Sequence, residues 1–362
     1  MIPLLFHVFP TFDAGGAQTR LVAIANHFGP RLRHAIVALD GRIGAATRLH
    51  GDVPFRCLDV DVRKNTLAGN LGNFRKILKS EKPDLLITHN WGAIEWAMAK
   101  AGTGIRHIHI EDGFGPDEAR GQHWRRVLTR RLVLRQSIVV VPSRTLEHIA
   151  RDVWRLPRGR LHYIPNGIDI DRFKRRRSNG ENPLPVIGTV SALRREKNLQ
   201  RLLRAFAAAV QRIPCRLVIV GDGAERGALE NIATELGVSD FVRFEGHVPD
   251  PSSLYGTFDI FALTSDTEQM PYTVIEAMAA GCPIAATNVG DVREMVAAEN
   301  RPFVVAKDDN AVSDALVRLL ADSKLRKTIG AANLQTARTR YSQDTMFRAF
   351  AEIYDLPGLT AT

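Results

Sequence analysis

The sequence predicts an α/β protein built from two doubly wound parallel sheets. Short apolar runs typical of buried strands alternate with helical patterns along nearly the whole chain. This alternation favours parallel strands that are covered by helices on both faces of the sheet. The chain has 362 residues, which is more than one hydrophobic core usually holds. We therefore expect two domains of ordinary size.

The composition is that of a globular protein, with 45% hydrophobic and 24% charged residues. The cysteines Cys57, Cys215 and Cys282 lie far apart without a C-x-x-C spacing, which is typical of buried small residues in a reducing compartment. The N-terminal residues lack a basic leader, and no window approaches the roughly 20 apolar residues that span a bilayer. These features predict a cytoplasmic location.

The net charge of +10 indicates an anionic partner, such as nucleic acid, an acidic membrane face or a phosphorylated substrate. Six arginines and no acid occur from Arg120 to Arg135, interleaved at helical spacing with Trp124, Val127, Leu128 and Leu132. A basic amphipathic helix of this kind either lies against anionic lipid or packs on its own sheet with solvated arginines. Nucleic acid is disfavoured, because no aromatic stacking platform or groove-reading motif accompanies the charge.

The first domain is expected to begin with a buried strand and to continue the alternation through five more strands. The strand candidates are residues 3 to 9, 34 to 39, 54 to 60, 84 to 88, 105 to 110 and 137 to 141. The loop after the first strand contains Gly15 and Gly16, which permit positive φ and a close approach of the backbone to a phosphate or an acceptor sugar. The fingerprint G-x-G-x-x-G is absent there, which disfavours a dehydrogenase.

The fifth predicted strand ends in a second group of candidate residues. His107 and His109 are followed by Glu111 and Asp112, and ligands of open α/β sheets bind beyond the carboxyl ends of the strands. His109 is therefore a functional candidate. We expect His107 to face the other side of the sheet and to be structural.

The basic, polar run from Arg172 to Pro185 has the chemistry of a linker. The alternation restarts after it, and Lys197 precedes the first helix of the second domain. A lysine at a helix N-terminus is electrostatically misplaced unless an anion binds there, so Lys197 is a candidate phosphate ligand. A further turn, Gly221-Asp-Gly223, follows the next strand.

The stretch from Phe261 to Gly290 is the most informative part of the chain. It predicts a strand, a polar loop, a helix that begins with Pro271 and stops at Gly281, and another strand, which together form a βαβ unit.

Two carboxylates, Glu268 and Glu276, bracket the start of this helix. The backbone N–H groups of Tyr272 and Thr273 would favour an anion such as a diphosphate. A diphosphate flanked by two carboxylates that accept hydrogen bonds from hydroxyl groups is typical of a nucleotide-sugar site. The alternative is that both glutamates are ordinary solvated side chains.

The segment EQMPYTVIEAMAAGCP, from Glu268 to Pro283, resembles the E-x7-E motif of the retaining glycosyltransferase family 4, which has the GT-B fold. The runs PNGID at 165 to 169 and NVGDVRE at 288 to 294 are similar to the same family. The resemblance covers nearly the whole chain. It implies two Rossmann-like domains facing a cleft, with residues 1–172 binding the acceptor, 173–340 binding the nucleotide sugar, and 341–362 forming a helix that crosses back to the first domain.

The resemblance also implies roles for individual residues. In the family, the first glutamate of the motif contacts the donor sugar, the second binds the ribose, and an arginine and a lysine grip the diphosphate. The arginine position is Ala192 here, so either Arg194 or Arg195 substitutes for it, or the leaving group is less stabilised. The implied catalytic residues are His109, Lys197 and Glu268, and the implied donor-binding residues are Gly15, Gly16, Arg194, Arg195, Gly221, Gly223, Met270, Pro271, Tyr272, Thr273 and Glu276.

The implied activity is transfer of a hexose-type sugar from a nucleoside diphosphate sugar to a hydroxyl group, with retention of configuration and without a metal or other cofactor. The acceptor would be a glycan, a lipid-linked saccharide or a lipid of polysaccharide or lipopolysaccharide synthesis, and the enzyme would be peripheral on the inner face of the membrane. Three alternatives remain: a metal-dependent GT-A transferase using Asp59-Val-Asp61 or Asp169-Ile-Asp171, a GT-B nucleotide-sugar epimerase, and a non-catalytic sugar-binding protein.

Overall fold

The computed structural model divides the chain into two units. The structure describes residues 2–13, 15–62, 66–114, 118, 121–173 and 184–359. The N-terminal unit consists of Met1–Asn166 and Asp344–Thr362, and the C-terminal unit is Gly167–Gln343. The expected limits at residues 172 and 340 lie a few residues from these. Ala14, Arg120 and most of the predicted linker from Arg172 to Pro185 lie outside the described residues.

The sheet of the N-terminal unit has seven parallel strands in the order β3-β2-β1-β4-β5-β6-β7. The strands are β1 Leu4–Phe9, β2 Arg33–Ala38, β3 Phe55–Leu58, β4 Leu85–His89, β5 Arg106–Ile110, β6 Ile138–Val141 and β7 Leu161–Tyr163. The predicted strands are thereby confirmed. Since the order reverses between β1 and β4, their carboxyl ends form the switch point where ligands of open α/β sheets bind.

Helices cover both faces of this sheet. They are α1 Gly16–Phe28, α2 Leu67–Glu81, α3 Ile94–Ala99, α4 Trp124–Val133, α5 Arg144–Asp152 and, at the end of the chain, α13 Gln343–Tyr354. Side chains of β1 alternate between the faces, so Phe6 packs with Phe74 of α2, whereas Leu5 shares a core with Ile24 of α1 and Phe350 of α13. The last helix thus completes the core of the N-terminal unit, as the GT-B fold implies.

The C-terminal unit contains six parallel strands in the order β10-β9-β8-β11-β12-β13. They are β8 Val186–Val190, β9 Arg216–Val220, β10 Val242–Gly246, β11 Ile260–Leu263, β12 Ile284–Thr287 and β13 Val304–Val305. The helices are α6 Leu199–Val210, α7 Arg226–Glu235, α8 Ser252–Tyr255, α9 Tyr272–Ala279, α10 Val292–Met295, α11 Asp309–Ala321 and α12 Ser323–Arg340. The switch point of this sheet lies between β8 and β11.

Helix α9 is the helix predicted from the stretch between Phe261 and Gly290. Four of its apolar residues, Val274, Ile275, Ala277 and Met278, are buried, and Gly281 follows the helix at φ +71°. That conformation ends a helix at little cost only for glycine. Pro271 was expected at the first helical position, but it is the N-cap with extended backbone. The difference is one residue, and proline suits either place because neither requires its N–H.

Buried histidines lie inside the N-terminal unit on the neighbouring strands β2, β1, β4 and β5. His7 of β1 and His34 of β2 approach each other, with 3.1 Å between Nε2 and Nδ1. His89 of β4 stacks on Phe9, with 3.6 Å between ring centroids. Burial lowers the pKa of His34 to about 4 and holds the pKa of His7, His89 and His107 well below the ordinary range. These side chains are therefore neutral in the folded protein at neutral pH.

We predict that the N-terminal unit loses stability as the pH falls from 7 towards 5. The depressed pKa values mean that the unfolded chain binds protons that the folded chain does not, so acid favours unfolding. Each such histidine contributes up to about 1.4 kcal/mol per pH unit below its unfolded pKa of about 6.5. Urea unfolding at pH 7.5 and 5.5 should show the loss. His34→Gln should reduce this pH dependence, and His50→Gln, at an exposed position, should not; equal dependence in both variants would contradict the explanation.

Candidate functional site

Lys197 and Glu268 meet at the switch point of the C-terminal unit. Lys197 lies in the loop after β8 and Glu268 in the loop after β11, and their Nζ and Oε1 atoms are 2.5 Å apart. The lysine side chain is 26% exposed and the glutamate side chain 11%. Ser265 donates a second hydrogen bond to the same carboxylate oxygen, at 2.8 Å. Two residues predicted for the donor site are therefore in direct contact.

Arg201 of α6 holds the two loops together. Its guanidinium donates to the carbonyl oxygen of Thr264 and to the Asp266 carboxylate, both at 2.8 Å. The backbone N–H of Asp266 donates to the carbonyl oxygen of Glu196 at 2.8 Å. These bonds fix the backbone on each side of the Lys197 to Glu268 contact. The position of Arg201 within a mainly apolar helix face was the only sequence signal for this role.

Gly290, in the loop after β12, supports the Glu268 loop from behind. Its φ is +50°, and a Cβ atom there would collide with the carbonyl oxygen of Glu268 and lie 2.6 Å from that of Gln269. The next residue, Asp291, donates its backbone N–H to the Gln269 carbonyl at 2.9 Å. Only glycine allows both the conformation and the contact. This explains the glycine in the NVGDVRE run.

The N-terminus of α9 follows directly after the Glu268 loop. Its N-cap is Pro271, which has no side-chain oxygen to cap the helix, and both Met270 and Pro271 are buried. The first turn contains Tyr272 and Thr273, and no acidic residue lies there to neutralise the helix dipole. Such an end attracts an anion.

Glu276 occupies the second turn of α9. Its carboxylate accepts a hydrogen bond from the hydroxyl of the buried Tyr255 of α8. Burial raises the pKa of Glu276, partly offset by the Tyr255 hydrogen bond and by the charge of Arg172. Burial also raises the pKa of Tyr255, so its hydroxyl stays protonated and remains a donor. Glu276 is thus a fixed acceptor and not a solvated side chain.

The remaining residues predicted for the diphosphate and the nucleotide surround the same switch point. Ala192, Arg194 and Arg195 are all exposed, and within the described residues neither arginine side chain makes a hydrogen bond or ion pair. Gly221 and Gly223 have φ of +136° and +158°, and Cβ atoms there would collide with the carbonyl oxygens of Ser191 and Leu193. The two glycines therefore allow the loop after β9 to pack on the loop after β8.

In the N-terminal unit, Gly15 and Gly16 flank the start of α1. Gly15 is the N-cap with φ 176°, which is ordinary extended backbone, and Gly16 has no positive φ. Neither glycine adopts the positive φ that the pair permits. A Cβ atom on Gly15 would meet only the flexible end of Gln18. Close approach of a ligand to this loop stays a prediction.

His107 and His109 lie on the same face of β5. The Thr88 hydroxyl is 2.9 Å from Nε2 of His107 and 2.8 Å from Nδ1 of His109. The expectation that His107 faces the other side is therefore wrong, because residues two apart on a strand share a face. Ser137 completes the contacts of His107, at 2.7 Å from Nδ1.

His109 is fully buried and both of its ring nitrogens have partners. Nε2 lies 3.4 Å from the Glu111 carboxylate, and Nδ1 faces Thr88. A neutral imidazole donates through one nitrogen and accepts through the other, so an Nε2–H donor to Glu111 leaves Nδ1 to accept from the Thr88 hydroxyl. A sugar hydroxyl could reach a nitrogen of His109 only by displacing one of these partners.

Arg130 anchors α4 to the loop after β5. Its guanidinium is fully buried and pairs with Glu111 at 3.2 Å and with Glu118 at 3.1 Å. Trp91 and Trp154 each lie 4.9 Å from its central carbon, measured to the ring centroids. Arg130 was grouped with the solvated or lipid-facing arginines, and that expectation is wrong for this residue. The outer face of α4 instead presents Trp124, Leu128 and Leu132, which are 69%, 46% and 65% exposed.

Sequence reasoning missed Arg20 at the switch point of the N-terminal unit. Its buried guanidinium donates to Asn166 at 2.9 Å and to Asp112 at 2.7 Å. The side chain of Asp112 is 18% exposed, so its carboxylate is only partly removed from water. The sequence signal was an arginine on the apolar face of α1, four residues before the buried Ile24.

Two parallel, doubly wound sheets with charged residues gathered at their switch points define the GT-B class of α/β proteins. The family models agree: "Glycosyltransferase Family 4" matches residues 14–172, and "Glycosyl transferases group 1" matches residues 171–336. The chain belongs to this family of glycosyltransferases.

Relatives and solved structures extend the comparison. The chain is 28% identical over 302 residues to the D-inositol 3-phosphate glycosyltransferase of Corynebacterium urealyticum, covering 75% of this chain and 71% of the relative. It is 30% identical over 217 residues to a GDP-mannose-dependent alpha-(1-6)-phosphatidylinositol monomannoside mannosyltransferase of Mycobacterium tuberculosis, covering 54% and 56%. Anabaena HepE, solved with UDP and glucose, has the same fold, with a TM-score of 0.80, 20% identity and coverage of 98% and 100%.

Proposed function

We propose that this glycosyltransferase uses a nucleoside diphosphate sugar as donor and transfers its sugar to a hydroxyl group with retention of configuration. The observation that carries the proposal is the meeting of Lys197 and Glu268 at the switch point of the C-terminal unit, beside the N-terminus of α9. A cation and a dipole suit the diphosphate, and a carboxylate suits the sugar hydroxyls. Glu276, held by Tyr255, is the acceptor assigned to the ribose.

In the mechanism we propose, Lys197 and the first turn of α9 bind the leaving diphosphate. The acceptor oxygen attacks the anomeric carbon on the face from which the diphosphate departs, so the configuration is retained. The acceptor proton passes to the departing phosphate oxygen. Catalysis is then mainly positioning and stabilisation of the charge that develops on the leaving group. No side chain is assigned as a covalent nucleophile, and no metal or other cofactor is required.

Names of relatives guide the choice of substrates. A relative named for GDP-mannose and a structural neighbour solved with UDP and glucose make UDP and GDP sugars the donors to test first. The relatives' named acceptors include an inositol phosphate and a phosphatidylinositol mannoside. We propose a glycan, lipid-linked or lipid acceptor.

A catalytically weak sugar-binding protein is the second candidate function. It is favoured by Ala192, which stands where the family has an arginine for the diphosphate. Arg194 and Arg195 are both exposed and without side-chain partners within the described residues, so either is available to replace it. Donor turnover that falls in an Arg194→Ala or Arg195→Ala variant would favour the enzyme over the weak binder.

We predict that Glu276→Gln lowers the affinity for UDP or GDP by about tenfold or more. The charged acceptor of the ribose hydroxyls is lost, and a hydrogen bond to a charged group contributes about 1.5–3 kcal/mol. Titration calorimetry with both nucleotides measures the effect. Glu299→Gln, at an exposed position, is the matched control. Unchanged affinity in Glu276→Gln would remove Glu276 from the ribose site, and absence of any nucleotide binding by the wild type would overturn the proposed donor.

We also propose that α4 attaches the protein to an anionic membrane surface. Its exposed stripe of Trp124, Leu128 and Leu132 has the four-residue spacing of one helix face, and the exposed Arg125 and Arg131 flank it. An apolar face with basic neighbours is typical of helices that lie in the interface of anionic lipids. None of the helices in the described parts of the chain is long and apolar enough to cross a membrane.

We predict that Trp124→Ser with Leu132→Ser abolishes most binding to vesicles of anionic phospholipid. The stripe would lose two of its three large apolar side chains. The remaining binding is electrostatic and should weaken as the salt concentration rises, because the Debye length at physiological ionic strength is about 8 Å. Co-sedimentation measures the bound fraction. Phe241→Ser, at a residue 40% exposed in the other unit, is the control. Equal binding by the stripe variant and the control would contradict the proposal.

A further inference from the structure

A cavity of about 510 Å³ opens in the C-terminal unit beside the end of α9. Its walls come from the turn that contains Ile170 and Phe173, from the end of α9 and the glycine after it, and from α12. The first wall residue of α9 is Ala279, one turn beyond Glu276, whereas the diphosphate is proposed at the other end of this helix. A helix of eight residues is about 12 Å long. The cavity therefore lies outside the proposed diphosphate site.

The core of the C-terminal unit holds the walls of this cavity in place. A Cβ atom on Gly330 would collide with the carbonyl oxygen of Gly281, so the backbones of α12 and of the α9 terminus are in direct contact. Phe173 belongs to the same buried cluster as Ala280, and its ring centroid lies 5.5 Å from that of Tyr255. Walls of this kind need little ordering when a ligand binds, which is typical of small-molecule sites.

The lining of the cavity is mainly apolar. Ile170 and Leu334 are half-buried, so part of their apolar surface is still open to contact. Sites for small molecules have volumes of about 300–1,000 Å³ and combine such a lining with a few polar groups. Burial of an apolar chain against these side chains is favourable, because it removes apolar surface from water. The cavity thus suits a small ligand with an apolar body.

The charged groups of the lining are Lys327, Arg338 and Asp171, which are all exposed. About three turns of α12 separate the two cations. The backbone N–H of Ile168 donates to the Tyr341 carbonyl at 2.9 Å, which places the segment with Asp171 towards the Arg338 end of the helix. Asp171 therefore offsets the charge of Arg338 more than that of Lys327. Within the described residues the Lys327 side chain has no hydrogen bond or ion pair, so its ammonium is available to an anion.

We propose that this cavity binds a small amphipathic anion, a single apolar chain of medium length that ends in a phosphate or a carboxylate. The chain lies against Phe173, Ala280 and Leu334, and the anionic group pairs with Lys327. An exposed ion pair alone contributes little to affinity, so the chain and the charge are both needed. This inference does not depend on the proposed function, because the cavity is outside the diphosphate site.

Titration of the whole chain with octyl phosphate, kept below its critical micelle concentration, tests the proposal. We expect saturable binding of one molecule per chain by calorimetry. Octan-1-ol, which lacks the charge, should bind several-fold more weakly, and inorganic phosphate, which lacks the chain, should not compete. Lys327→Gln should weaken octyl phosphate about fivefold, the effect of losing an ion pair at the surface. Ala331→Trp, at an exposed lining residue, should fill the cavity and abolish binding.

Matched variants separate this cavity from other surfaces that attract an amphipathic anion. Lys324→Gln removes the same charge one turn earlier on α12, at an exposed residue outside the lining, and should leave the affinity unchanged. Trp124→Ser with Leu132→Ser should also bind octyl phosphate like the wild type. If Ala331→Trp does not fold, Ala331→Glu, which adds a like charge to the ligand, should weaken binding instead.

Three results would overturn the proposal. They are absence of saturable binding by the wild type, equal affinity of the wild type and the folded Ala331 variant, and loss of binding in the α4 variant. Equal effects of Lys327→Gln and Lys324→Gln would also contradict it, because the anion would then have no defined partner in the cavity.

Discussion

The contact of Gly290 with the backbone of Glu268 and Gln269 holds the C-terminal site in its observed geometry. It fixes the loop after β11 from behind, at a distance that no other residue type would allow. Arg201 also fixes this loop, because its guanidinium donates hydrogen bonds to Thr264 and Asp266. Because the backbone is held on both sides, the Glu268 side chain is presented to Lys197 from a defined position. The charge chemistry at the switch point follows from this rigid support.

Two buried arginines fix loops of the N-terminal unit, as Arg201 does in the C-terminal unit. Arg130 joins α4 to the loop after β5 through Glu111 and Glu118, and Arg20 joins α1 to Asp112. A buried guanidinium requires several acceptors, so each arginine fixes the loop that carries those acceptors. In α4 this leaves one face committed to the protein interior and the opposite face, with its apolar stripe, exposed. One face of α4 thus contacts the protein interior, and the opposite face is available for a contact outside the protein.

The fold was predictable because alternating strands and helices leave a strong period in the sequence, and the strand candidates all lie on observed strands. The pairing of Lys197 with Glu268 was not, because spacing along the chain says nothing about which loops adjoin at a switch point; strand order decides that. The burial of Arg130 was also hidden, since a run of arginines does not reveal which one points inward. Its spacing from Val127 and Leu134, three and four residues away, was the available signal.

The backbone conformation of Gly15 and Gly16 was not predictable for a different physical reason. A glycine can adopt positive φ, but the sequence does not show that it must, and Gly15 is extended at φ 176°. The assignment of His107 to the opposite face broke the two-residue period of a strand.

We propose that a nucleoside diphosphate binds at the N-terminus of α9 and the adjoining loops of the C-terminal unit. Hydrogen–deuterium exchange of the whole chain, with and without saturating UDP or GDP, tests it most directly. We expect slower exchange in residues 192–198 and 264–276, where backbone N–H groups and side chains would contact the ligand. Protection confined to other segments, with these two unchanged while the nucleotide is bound, would contradict it.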